Sequence, residues 1–262
     1  MATDLDGTIV RSDGSLSRRT VAALHAVERA GATVVFVTGR PTRWMAEVAE
    51  RTGHTGLAIC ANGAIVYDLR TERVVERYPL APQLAAEVVR ALRAALPDAG
   101  FAVESERGFA HEPAYVPRYD LPADVRVGDI EALLDGPVTK LLVRHEVRCS
   151  DDLLAAARAV VGDLAEVTHS TPSGGALLEI SAAGVSKATT LARFCAERDI
   201  AAAEVLAFGD MPNDLPMLAW AGHAVAVANA HPEVQAVADE ITASNDDDGV
   251  ALVVERLLAA AR

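Results

Sequence analysis

Aromatic residues make up only 4% of this 262-residue sequence, and its three cysteines, Cys60, Cys149 and Cys195, form no C-x-x-C pair. That scatter excludes a disulfide framework and a cysteine-based structural zinc site, and leaves buried thiols in a reducing cytosol. Long apolar runs are missing too. The stretch at residues 32–37 is far too short to span a bilayer, and no basic segment followed by a long apolar one marks the N-terminus. Basic charge is scarce: 24 Lys and Arg face 37 Asp and Glu, a formal net charge of -13. Nucleic acid and anionic membrane are therefore not expected as partners, and any anionic ligand must be attracted by local features. These absences describe a cytoplasmic protein with no membrane segment.

Apolar residues, by contrast, fill 51% of positions, enough for a substantial core in one large domain or two. In the first third, helix and strand patterns alternate: a helix at 17–30, a strand at 32–37, a helix from Pro41 and a strand at 57–60. Asn62-Gly63 then separates that strand from short ones at 65–67 and 74–75, as in a hairpin. The rhythm returns after residue 184, with helices at 186–198, after Pro212 and at 250–261, and strands at 204–208, 223–227 and near Ile241. Such alternation implies an α/β fold with a doubly wound, mainly parallel, Rossmann-like sheet. Residues 79–183 read differently, with helices at 82–96 and 151–161 and strands at 101–104, 138–143, 165–169 and 177–180. The expected organisation is a discontinuous core, 1–78 and 184–262, holding an inserted α+β domain, 79–183.

In open α/β sheets, ligands bind beyond the carboxyl ends of the strands. Four polar clusters fall there: Asp4-Leu5-Asp6-Gly7-Thr8, Thr38-Gly39-Arg40, Asn62-Gly63, and Gly209-Asp210-Met211-Pro212-Asn213-Asp214. Taken singly, each has a structural explanation. Asp4-Asp6 suits an Asp-rich turn, Thr38 a helix cap, Asn62-Gly63 a turn, and the last cluster a cap followed by first-turn acids. Their convergence on one sheet edge is harder to explain that way. Asp4, Asp6, Asp210 and Asp214 would crowd negative charge that only a cation relieves, and an all-oxygen donor set suits Mg²⁺ sharing its sphere with phosphate. Lys187, just after Ser186 at a helix start, opposes the helix dipole at a cost of ~0.3–1 kcal/mol unless it has an anionic partner. A carboxylate nucleophile approaching a phosphate dianion needs the positive charge that Mg²⁺ and Lys187 supply, each unit pair at ~4 Å being worth about 4 kcal/mol.

These motifs, in this order and with Gly184-Val185-Ser186-Lys187 between the second and the last, resemble the haloacid dehalogenase (HAD) superfamily of aspartate-nucleophile phosphatases. The resemblance is to the Cof-type branch with a type IIB cap, and extends to the tail Ser244-Asn245-Asp246-Asp247-Asp248-Gly249-Val250. It implies a HAD-like core with the inserted domain as a specificity-setting cap, and a Mg²⁺-dependent phosphatase acting on small phosphorylated metabolites, sugar phosphates foremost. By the same resemblance Asp4 is the nucleophile that forms an aspartyl-phosphate, and Asp6 is the general acid/base. Mg²⁺ is held by Asp4, the Asp6 backbone carbonyl and Asp210, with Asp214 in support; Thr38, Gly39, Lys187 and Asn213 bind the phosphate. The partner is a small phosphorylated metabolite, and the chain works as a monomer or homodimer.

Two departures from the family pattern stand out. Only three residues precede Asp4, so either the true start lies upstream or the central strand is trimmed. Val227-Ala228-Asn229 replaces the usual Met-Gly-Asn, which makes Asn229 a weak site candidate. In the cap, Arg107, His111, Arg118, Tyr119, Lys140 and His145 are polar candidates for substrate contact, with an ordinary solvated role as the alternative for each. A phosphomutase of the same fold and a non-catalytic phospho-ligand-binding protein remain the competing functions.

Overall fold

The computed structural model describes residues 1–170 and 176–260; Ala261, the last position of the expected terminal helix, lies outside them. In chain order the elements are β1 (Ala2–Thr3), α1 (Arg18–Arg29), β2 (Val35–Val37), α2 (Met45–Thr52), β3 (Leu57–Cys60), β4 (Ile65–Asp68) and β5 (Arg73–Arg77). Next come α3 (Pro82–Ala95), β6 (Gly100–Ser105), β7 (Gly108–His111), β8 (Arg126–Val127), α4 (Ile130–Leu133), β9 (Val138–His145), α5 (Ser150–Val161), β10 (Ala165–Thr168) and β11 (Ala176–Ala182). The chain closes with α6 (Lys187–Ala196), β12 (Leu206–Gly209), α7 (Leu215–Trp220), β13 (His223–Ala226), α8 (Pro232–Val237), β14 (Glu240–Ile241) and α9 (Gly249–Ala260). Two compact units result: Met1–Glu76 with Ser186–Arg262, and Arg77–Val185.

The first unit is built on one eight-stranded sheet, ordered β14-β13-β12-β1-β2-β3-β4-β5. Strands β14 through β3 run parallel, and β4 returns antiparallel to β3. At its centre β1 has only two residues, yet each is paired on both sides: Ala2 with Ala207 and Val35, Thr3 with Phe208 and Phe36. The Asp4 amide continues the ladder, donating to the Phe208 carbonyl at 3.1 Å. Leu5, Phe36 and Phe208 beside it are wholly buried. Helix α1 shows why the flanking helices form: Ser17 caps it by accepting the Thr20 N–H, and Thr20, Ala23, Leu24 and Val27 repeat on one buried stripe.

The second unit has a six-stranded sheet, ordered β10-β11-β9-β6-β7-β8. Helices α3 and α5 bury Val88, Leu92, Leu153 and Ala157 in a separate core with Phe101, Leu141 and Ile180. Strands β7 and β8 and helices α4 and α8 were not visible in the periodicity, being too short to complete a pattern. Two expectations are corrected here. Cys149 is exposed rather than buried, because it sits at the start of α5, where its Sγ accepts the Asp152 N–H. Lys140 is buried rather than solvated, since β9 turns it toward Glu179 on β11, with which it forms an ion pair. No helix among the described residues is long and apolar enough to cross a membrane.

Candidate active site

Three carboxylates from opposite ends of the sequence meet at the carboxyl edge of the central strands: Asp4 after β1, and Asp210 and Asp214 after β12. Their oxygens lie within 4.8 Å of one another, and all three residues are buried. Lys187, the first residue of α6, is 1% exposed and reaches into the same cluster. Its Nζ donates to Asp4 Oδ1 at 2.6 Å and to Asp214 Oδ1 at 2.7 Å. The ammonium that opposes the α6 dipole thus has its anionic partners. The helix start is fixed by a reciprocal cap, Ser186 accepting the Thr189 N–H while Thr189 Oγ1 accepts the Ser186 N–H.

Asp214 holds the loop rather than facing outward. Its Oδ2 accepts the N–H groups of Asp210 (3.0 Å) and Met211 (3.1 Å), while Oδ1 is taken by Lys187. Asp210 Oδ1 accepts the Thr8 hydroxyl at 3.0 Å, and its Oδ2 lies against the backbone of Gly7. Gly7 has φ +79°, and a Cβ there would stand 2.2 Å from Asp210 Oδ2. Position 7 therefore demands glycine on two independent grounds.

Were all three carboxylates ionised, one ammonium would leave two negative charges in excess in a buried place. Burial, opposed by Lys187 and reinforced by Asp214 and Asp6, pushes the Asp4 carboxyl up to about 7. Burial, then the charges of Asp4 and Asp214, push Asp210 up to about 9. Burial works against the charge of Lys187, but Asp214 and Asp4 outweigh it and raise its pKa. A cluster that holds its protons so firmly, and offers only oxygen donors beside a glycine-walled cradle, fits a hard cation. Asp4 and Asp210 are the carboxylates that could hold it, while Asp214 is taken up by Lys187 and the loop amides.

Asp6 differs in kind from Asp4. Its side chain is 58% exposed, and Arg40 grips both oxygens, with Nε 2.7 Å from Oδ2. The Thr38 side chain is buried, and its Oγ1 accepts the Arg40 N–H at 3.0 Å, so the hydroxyl proton is left to donate. Gly39 is half-buried between them. Asn213 Nδ2 donates to Asn62 Oδ1 at 3.1 Å. Asp4, Lys187, Asp210 and Asp214 therefore form one side-chain cluster, while Asn213, Asn62 and Thr38 form a second chain of contacts, the Asn62 N–H donating to the Thr38 carbonyl at 3.0 Å.

Sequence reasoning gave Arg40 and Thr8 no role and weighed Asn62 as a turn. Asn62 does turn the chain, at φ 56°, but its side chain is buried in the site. Asn229 braces the site from behind: its Nδ2 donates to the Gly7 carbonyl at 2.8 Å, and its Oδ1 accepts the Asn245 N–H at 2.9 Å. In the inserted unit, the polar candidates each have a partner within that unit. Arg107 pairs with Asp135, Arg118 with Glu146 and Lys140 with Glu179. His111 Nδ1 contacts the Glu112 carbonyl, and His145 Nδ1 accepts two backbone N–H groups. The Tyr119 ring meets Phe109 at a tilt of 60°.

An aspartate-centred site at the carboxyl edge of a doubly wound sheet, with a lysine at its heart, defines a hydrolytic α/β enzyme. The chain belongs to the haloacid dehalogenase-like hydrolases, whose family model matches residues 1–254. It is 28% identical over 265 residues to the 5-amino-6-(5-phospho-D-ribitylamino)uracil phosphatase YitU of Bacillus subtilis, covering 96% of this chain and 94% of that protein. It is 27% identical over 259 residues to the phosphoglycolate phosphatase of Methanothermobacter thermautotrophicus, covering 98% of each. Its fold is shared with the HAD subclass IIB sugar phosphatase BT4131, at a TM-score of 0.79 and 20% identity, over 98% of this chain and 97% of that one.

Proposed function

We propose that this protein is a Mg²⁺-dependent phosphatase that hydrolyses small phosphorylated metabolites, sugar phosphates foremost, through an aspartyl-phosphate on Asp4. The observation that carries the reading is the pairing of Asp4 with Lys187 at 2.6 Å inside a carboxylate cluster with excess negative charge. Such a site rejects anions by itself and accepts a phosphate once a divalent cation is present. Asp4, the Asp6 backbone carbonyl and Asp210 would hold that cation, with Asp214 supporting the loop. When bound, Mg²⁺ supplies the positive charge that lets a carboxylate and a phosphate dianion approach each other.

The chain's own residues then divide the work. Asp4 attacks phosphorus and the P–O bond to the leaving alcohol breaks, while Asp6 gives that alcohol its proton. In the second half, Asp6 takes a proton from water as it attacks the aspartyl-phosphate, releasing phosphate and restoring Asp4. Arg40 aims the exposed Asp6 carboxylate for the second half, and frees one oxygen when Asp6 carries the proton of the first. Lys187, the Thr38 hydroxyl, the Gly39 amide and the second N–H of Asn213 hold the phosphoryl oxygens. Choice of substrate is assigned to the inserted unit, and the protein to the cytoplasm as a monomer or homodimer.

The test is release of free phosphate from a panel of sugar phosphates, nucleotides and cofactor phosphates, with Mg²⁺ and with EDTA. Turnover that requires Mg²⁺ and vanishes with EDTA is expected. Failure across the whole panel would sink the reading in favour of a binding protein, and return of phosphate to a second substrate position would favour a mutase.

A further inference from the structure

Two buried amides in the site leave atoms without a partner. Asn62 Nδ2 and Asn213 Oδ1 are both shut away from solvent and form no hydrogen bond, although the same two side chains bond each other through Asn213 Nδ2 and Asn62 Oδ1. A buried polar atom without a partner carries the full cost of its desolvation. Turning both amides over exchanges the residues' roles, and still leaves one free donor and one free acceptor. The need for an outside partner is thus independent of amide orientation.

The position of Asn62 is fixed from three sides. Its N–H donates to the Thr38 carbonyl. Gly63, next to it, packs so closely on α6 that a Cβ would stand 2.3 Å from the Ser186 carbonyl oxygen, and the Thr190 hydroxyl donates to the Gly63 carbonyl at 2.8 Å. Asn213 holds the third side. Asn62 therefore stands where the loop after β2, the start of α6 and the loop after β12 meet. Its φ of 56° costs asparagine little and most other residues more.

We propose that Asn62 is a phosphoryl-binding residue: its Nδ2 donates to a non-bridging oxygen of the phosphate, and Asn213 Oδ1 accepts from water. This rests on the phosphatase reading above. At neutral pH a phosphate monoester is mostly dianion, and its non-bridging oxygens then only accept hydrogen bonds, so they match the free donor and not the free acceptor. The bond is charge-assisted, the stronger class.

Asn62→Asp keeps shape and tolerance of positive φ while deleting the donor; Asn62→Gly keeps the turn and deletes the side chain. Both are titrated with inorganic phosphate in saturating Mg²⁺ by calorimetry, alongside kcat/KM for p-nitrophenyl phosphate and thermal melting. Weaker phosphate binding by about 10- to 100-fold is expected in both, with a parallel fall in kcat/KM. Phosphate affinity within about twofold of wild type in Asn62→Gly, with only the melting temperature lowered, overturns the assignment and makes Asn62 a turn residue. A wild-type chain giving no phosphate signal overturns it equally. If wild type hydrolyses nothing yet binds phosphate in an Asn62-dependent way, the phosphatase reading falls and the subsite stands.

Discussion

Lys187 Nζ and Asp4 Oδ1 lie 2.6 Å apart although 183 residues separate them in sequence. The ion pair joins the first residue of α6 to the end of the shortest strand in the sheet centre, and both partners are buried. It cannot neutralise the site alone, because the same ammonium also serves Asp214. Without a further cation, the cluster sheds its surplus charge by holding protons on Asp4 and Asp210.

Asp4→Asn should abolish phosphate release while preserving the fold. The substitution removes the nucleophile and also lowers the excess negative charge of the cluster, so the variant's melting temperature in EDTA is expected to equal or exceed that of wild type. Phosphatase assay and thermal melting of one preparation check both halves, and substantial residual turnover would remove Asp4 from its role.

Lys187→Met should act in the opposite sense on stability. Three buried carboxylates would then face no fixed cation, and loss of one partner of a buried pair costs about 3–5 kcal/mol. Mg²⁺ is expected to recover more stability in this variant than in wild type, by up to about 2.7 kcal/mol at a hundredfold excess over Kd. Urea unfolding in EDTA and in Mg²⁺ measures the difference; an equal Mg²⁺ response in both proteins would count against a shared cation site.

How much of this was legible beforehand follows from distance along the chain. Asp4, Asp210 and Asp214, each explicable alone, stood out by converging on one sheet edge, whereas Lys187 stood out because it broke a local rule, a cation at a helix start. Arg40 and Asn62 broke none. The guanidinium grips Asp6 from 34 residues away and Asn62 bonds Asn213 across 151 residues, contacts that only the parallel crossovers create. The alternation of helix and strand revealed the doubly wound sheet, whereas β8, of two residues, is held by its neighbour β7 and carries no period of its own.

Gly7→Ala should damage cation binding specifically. Alanine at φ +79° costs about 1–2 kcal/mol, and its Cβ would displace Asp210 Oδ2 from a 2.2 Å approach. The Mg²⁺ concentration giving half-maximal activity is expected to rise about 10- to 100-fold. Gly14→Ala is the control: its φ is +78°, and a Cβ there meets nothing within 4 Å. That variant should lose a similar amount of stability without any change in Mg²⁺ requirement. Equal Mg²⁺ dependence in the two variants would place the Asp210 carboxylate outside the cation site.

Asp248 ties the loop before α9 to the start of α1, accepting from Arg11 at 2.8 Å and from Thr20 at 3.4 Å. Burial pushes its carboxyl up, but the Ser17 hydrogen bond and the Arg11 guanidinium outweigh burial and hold the pKa below the ordinary aspartate value. A lowered folded pKa adds stability that is fully present above the unfolded value of ~3.9 and is lost as pH falls through the folded one. Asp248→Asn should therefore lower the urea midpoint near neutral pH, and the gap from wild type should close on acidification below about pH 4. A gap that stays constant down to about pH 3 would show that shape, not charge, is what Asp248 contributes.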